Sequence, residues 1–104
     1  MNKRLAMLEK LTSSAQADSF SFYCLAMEYR KEGRVDDATR TFETLRDRDA
    51  GYLPMYLMAG QMLLEATRAG DAKAWLEQGI ALASAKGDSK ALGELESELA
   101  SVSS

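Results

Sequence analysis

The chain has no histidine, one cysteine (Cys24) and one proline (Pro54). Without histidine there is no Cys-His or Ser-His nucleophilic pair and no imidazole ligand for a metal. A single cysteine excludes an intramolecular disulfide framework, so a reducing cytoplasm is the expected compartment. No apolar run reaches the roughly 18 residues that a membrane-spanning helix needs. Glu9 and Lys10 interrupt the stretch where a secretory leader would carry its apolar segment. No glycine-rich phosphate loop is present, and a net charge of −3 leaves no global field to attract nucleic acid or an anionic membrane. The expected inventory is therefore no metal, no cofactor, no nucleic acid and no membrane.

What is present favours helix. The 104 residues are 46% hydrophobic and 28% charged, ordinary values for one globular domain. Ala, Leu, Met, Glu, Lys and Arg are abundant, while β-branched residues are few. Leu5, Leu8 and Leu11 recur at three-residue steps beside Met7, predicting a short amphipathic helix over 3–14. A polar break follows, and Asp18 is placed to cap the next helix. In that helix, from about residue 18 to 32, Phe22, Leu25, Ala26 and Tyr29 share one face. Gly33 stops it. Val35, Ala38, Phe42 and Leu45 form the stripe of a helix over 35–48, so the turn between the two is tight and they fold back antiparallel.

The pattern then recurs. Pro54 fits a first helical turn, and Tyr56, Ala59, Gly60 and Leu63 form a stripe running to about residue 69. Gly70 is expected to open the next turn and Asp71 to cap a helix with Ala72, Trp75, Leu76, Ile80 and Ala83, ended by Gly87. Asp88 or Ser89 caps a last helix bearing Leu92, Leu95, Leu99 and Val102. Phe22 and Tyr56, Ala26 and Gly60, Ala38 and Ala72, and Phe42 and Leu76 all stand 34 positions apart. Subtracting 34 from Phe42 and Leu45 gives Leu8 and Leu11, so the first helix occupies the slot of a preceding second helix. The last helix occupies the slot of a following first helix, as a terminal cap does.

A 34-residue period of helix pairs, reading Phe22, Leu25-Ala26, Tyr29, Ala38, Phe42 with Gly33 at the turn, resembles the tetratricopeptide repeat family. The second unit is a weaker copy, with Ala59 and Leu63 in place of leucine and tyrosine, Thr67 in place of the turn glycine, and Gly79 where the first has Leu45. The resemblance implies an all-α, TPR-like right-handed superhelix of about five helices in a single domain. Residues 1–17 and 88–104 are its half-unit caps, and 18–51 and 52–87 its repeats.

The resemblance also implies a protein-interaction module in which the first helix of each unit lines a groove for a peptide or helix. Carried over, that groove comprises Tyr23, Met27, Arg30 and Lys31, then Leu57, Gln61, Leu64, Glu65 and Arg68. Tyr23, Met27, Leu57 and Gln61 stand where a carboxylate-gripping subset of the family has lysine and asparagine. The expectation is therefore an apolar ligand surface with basic ends.

Three other readings stay open. The same surface can form a homodimer, since two recognisable units fall below the three usually needed for independent stability. An enzyme needs titratable groups in a pocket, and the sequence offers only scattered carboxylates. The bases Arg30, Lys31, Arg34, Arg40, Arg46 and Arg48 can meet an acidic partner or nucleic acid. Interleaved Glu28, Glu32, Asp36, Asp37, Glu43 and Asp47 favour a solvated, internally paired face instead.

Overall fold

A computed structural model describes residues 2–102. Six helices are present among them: α1 Lys3–Thr12, α2 Ser19–Lys31, α3 Val35–Arg48, α4 Pro54–Glu65, α5 Ala69–Lys86 and α6 Ser89–Val102. The class is all-α as expected; two hairpins with one helix at each end make six rather than five. The helices fall into two compact units, Met1–Tyr52 and Leu53–Ser104.

In the first unit the hairpin α2–α3 carries α1 on α2. Asp18 caps α2 through its side chain, accepting from the backbone N–H of Ser21 at 2.9 Å. Bonds from the Ser21 side chain and backbone lower its carboxyl pKa. The α3 helix has no side-chain cap, but Asp36 and Asp37 place negative charge in its first turn. Ala26 and Ala38 are fully buried, and their lack of bulk lets α2 and α3 approach while Phe22, Tyr29 and Phe42 fill the space around them. Leu5 and Leu8 complete the buried set from α1. Leu11, expected on the same stripe, is 50% exposed: α1 packs chiefly against α2, and its buried face is centred on Leu5 and Leu8.

The start of α1 is tied down by polar contacts. Asn2 caps the helix, its Oδ1 accepting from the Leu5 N–H at 2.9 Å, while its Nδ2 donates to Glu28 Oε2 at 2.8 Å and Glu32 Oε1 at 2.6 Å. Arg4, which stands where the small Ala38 would, reaches the same Glu28 at 3.2 Å. Glu28 is thus a buried carboxylate rather than one of a solvated row. Its pKa is lowered, chiefly by the bond from Asn2. At the other edge of α2 the Tyr29 hydroxyl donates to Glu9 Oε2 at 2.5 Å. Burial first, and this bond second, push the phenol up to about 12.

In the second unit α5 packs against both α4 and α6, and α4 also meets α6. Pro54 opens α4, and Asp88 caps α6 by accepting from the Ala91 N–H at 3.0 Å. Met55, Tyr56, Ala59, Leu63, Leu76 and Leu95 are among its buried residues. The Tyr56 and Trp75 rings lie 5.9 Å apart, tilted by 51°.

The break between α4 and α5 differs from the expected one. The α4 helix ends at Glu65, and Gly70 lies inside the first turn of α5. The turn is made by Thr67, whose φ of 61° is left-handed. Three helix ends share one arrangement. Arg34 N–H donates to Tyr29 C=O at 2.9 Å and Gly33 N–H to Arg30 C=O at 3.0 Å. Arg68 to Leu63 with Thr67 to Leu64, and Asp88 to Ala83 with Gly87 to Ser84, repeat it. These are Schellman caps, which place one residue at positive φ. Gly33 and Gly87 fill that position in two of them, and Thr67 in the third.

Candidate protein-binding site

The residues expected to line a groove fall into two sets, one in each unit. On α2, Tyr23 and Met27 are half-buried. The Tyr23 ring lies 5.5 Å from that of Tyr52, and burial raises both phenols above their ordinary value. Arg30 is half-buried, while Lys31 is exposed with its Nζ 3.9 Å from Glu28. Phe20 was not among the expected residues, yet it is 61% exposed. It stands three residues before Tyr23 and seven before Met27, on the same face of α2. That spacing was the available signal.

In the second unit, Leu57 and Met58 of α4 are half-buried and line an open cleft of about 310 Å³ against α6. Leu95 and Ala91 complete its apolar floor, and Asp88, Lys90 and Glu94 stand around it. The cleft continues into a hollow of about 490 Å³, where Leu57 and Gln61 face Gly93, Glu94, Ser97 and Glu98. Gln61 Nε2 donates to Glu98 Oε1 at 3.0 Å. The last helix therefore walls the cleft rather than filling it, and it brings carboxylates with it.

Leu64 is half-buried and Glu65 exposed at the end of α4. Arg68 is not on that helix. The left-handed Thr67 ends α4 at Glu65, and Arg68 becomes the residue that precedes α5. The basic residue expected at the end of α4 thus stands in the turn before α5.

Much of the remaining cationic row is engaged in structure. Arg34 Nε lies 2.8 Å from Asp37 Oδ2 and its guanidinium 4.6 Å from the centre of the Tyr29 ring. Arg40 pairs with the same Asp37, whose carboxyl is held below its usual range, first by Arg34. Arg48 lies over Phe22 and donates to Ala17 C=O at 2.8 Å, fixing the α1–α2 loop. Among the described residues no three His, Cys, Asp or Glu are grouped to hold a metal, and no helix is long and apolar enough to cross a membrane.

No protein-family model and no curated protein matches the sequence. Solved structures do. A tetratricopeptide repeat domain protein of Salinibacter ruber, in a crystal structure, is 31% identical over 83% of this chain and 97% of its own, with a TM-score of 0.74. Its solution structure gives 30% identity over 86% of this chain and 90% of its own, with a TM-score of 0.75. A Bordetella parapertussis protein superposes over 99% of this chain and 90% of its own, with a TM-score of 0.82; at 21% identity it speaks for the fold alone. The Phe22-to-Phe42 motif, its 34-residue echo and a relative matched along nearly its whole length agree, and the chain belongs to the tetratricopeptide repeat family.

Proposed function

We propose that this chain is a non-catalytic protein-interaction module that takes a peptide or helix on the first-helix faces of its repeats. The observation that carries this reading is the α4–α6 cleft: Leu57 and Met58 are large apolar side chains left half-exposed beside an open volume of about 310 Å³. A helix that lays its apolar face in such a groove gains hydrophobic area with each anchor. Tyr23 and Met27, with exposed Phe20, offer an aromatic and adaptable surface on α2. Arg30 and Lys31 on α2, and Gln61 and Leu64 on α4, border these anchors in the reading, and Arg68 serves from the turn rather than the helix face. The family membership supports the same reading, because these helix pairs generally serve binding rather than chemistry.

The test is selection from a displayed random-peptide library on the immobilised chain, followed by titration of the enriched peptides. Binding should weaken about tenfold or more in Leu57→Glu or Tyr23→Glu, with the helical circular dichroism unchanged. Peptides that bind both variants as well as the parent would refute these surfaces, and a library that yields none would refute the module.

A further inference from the structure

The α4–α6 cleft has a fitting occupant in α1. We propose that the cleft of one copy of this chain seats helix α1 of a second copy, an inference that rests on the reading of the cleft as a helix-binding site.

Three observations carry it. First, α1 leaves Met7 53% and Leu11 50% exposed, one helical turn apart, while Leu5 and Leu8 are buried. Such a pair is the i, i+4 anchor set that a groove reads from a docked helix. Second, the charges are complementary. Exposed Lys3 and Lys10 flank Met7 along α1, four residues before it and three after. The cleft presents Asp88 and Glu94 against one cation, Lys90, and Glu98 stands in its continuation, oriented by Gln61. Third, in the 34-residue period α1 occupies a second-helix slot and α6 a first-helix slot, so their meeting pairs the two helix types that form one hairpin unit.

The contact is heterologous: the surface used on one copy differs from that on the other, so association need not stop at a dimer. One helix in one cleft belongs to the small class of interfaces, below about 1,200 Å², and it forms at high protein concentration. It would compete with any other ligand of the cleft.

The experiment is sedimentation velocity of the full chain from micromolar to millimolar concentration, at low and high salt. The expected result is a sedimentation coefficient that rises with concentration and falls back with salt. Leu11→Glu changes an exposed position and leaves the fold intact, and it should move the rise to about tenfold higher concentration or beyond. Glu94→Lys should do the same, and Lys10→Glu combined with Glu94→Lys should recover part of the loss.

A labelled peptide of residues 2–14 should bind the parent chain and lose binding to Leu57→Glu. A chain monomeric at every concentration overturns the proposal, as does association indifferent to both Leu11→Glu and Glu94→Lys. Association abolished by Phe20→Glu but not by Leu11→Glu also overturns it, because the interface would then lie on α2. A monomer that still takes library-selected peptides through Leu57 overturns the self-seating alone; one that takes none overturns the module as well.

Discussion

Replacing Thr67 by glycine should make the protein more stable, although it removes a side chain. Thr67 holds φ at 61°, where Cβ crowds the neighbouring carbonyl and a non-glycine residue loses about 1–2 kcal/mol. Branching at Cβ puts threonine among the genuine outliers there. Glycine removes that strain but returns roughly 0.4–1 kcal/mol of conformational freedom to the unfolded chain. It also removes the Thr67 Oγ1 bond to Ala66 C=O at 2.6 Å, an exposed local contact of small worth. The balance is a gain of about 0.5–1 kcal/mol, or roughly 2–8 °C in Tm for a chain of this size. Gly33 supplies the reverse experiment. Its φ is 74° and a Cβ there would meet nothing within 4 Å, so Gly33→Ala tests backbone strain without a clash. It should lose about 1 kcal/mol. Urea denaturation with a common slope across parent, Thr67→Gly, Thr67→Ala and Gly33→Ala decides the matter. The argument fails if Thr67→Gly is less stable than Thr67→Ala, or if Gly33→Ala is neutral.

Two further predictions concern other contacts. Gly79→Ala should destabilise by about 1–3 kcal/mol in the same assay, because its Cβ would fall 2.7 Å from Tyr56 Cβ and 2.8 Å from Leu95 Cδ2; unchanged stability would show that α5 can shift to make room. Glu28 has a lowered pKa in the folded chain, led by its bond from Asn2, so its contribution is fully present above the ordinary carboxyl range and is lost as pH falls through the lower, folded value. Thermal melts of the parent and Glu28→Gln should therefore differ at neutral pH and converge in acid. A gap that stays constant with pH would mean that the charge of Glu28 does not contribute.

Local periodicity carried the reading as far as local causes act. Phe22, Leu25, Ala26 and Tyr29 report one helical face whatever surrounds them, and Val35–Arg48 emerged with the expected limits. The α4–α5 turn was misplaced because residue-type rules assign breaks to glycine, which pointed to Gly70, whereas the backbone turns at a threonine. The period held the better clue, since Thr67 lies 34 residues after Gly33. Glu28 looked like one of several acids balancing bases, because the groups that bury it, Asn2 and Arg4, arrive from a helix more than 20 positions away. The carboxylate wall of the cleft was equally illegible. Glu94 and Glu98 were visible as acids, but only the packing of α6 beside α4 brings them to Leu57 and Gln61.

One irregularity of the second repeat, Gly79, then has a packing cause. Where the first repeat has Leu45, fully buried, the second has Gly79. That glycine leaves room, where a side chain would stand, for both Tyr56 of α4 and Leu95 of α6. Leu95 is itself buried and lines the floor of the cleft. A leucine at position 79 would displace it, and α6 could not lie against α5 as it does. The terminal helix meanwhile gives up the buried tyrosine slot, which holds exposed Ser97, and buries instead Leu95, which stands in the register of Met27 and Gln61 and fits the space beside Gly79. Gly79 and Leu95 are thus complementary halves of one packing solution. It closes the second unit with a helix whose outer wall is polar and acidic, and it leaves Leu57 and Met58 beside an open volume.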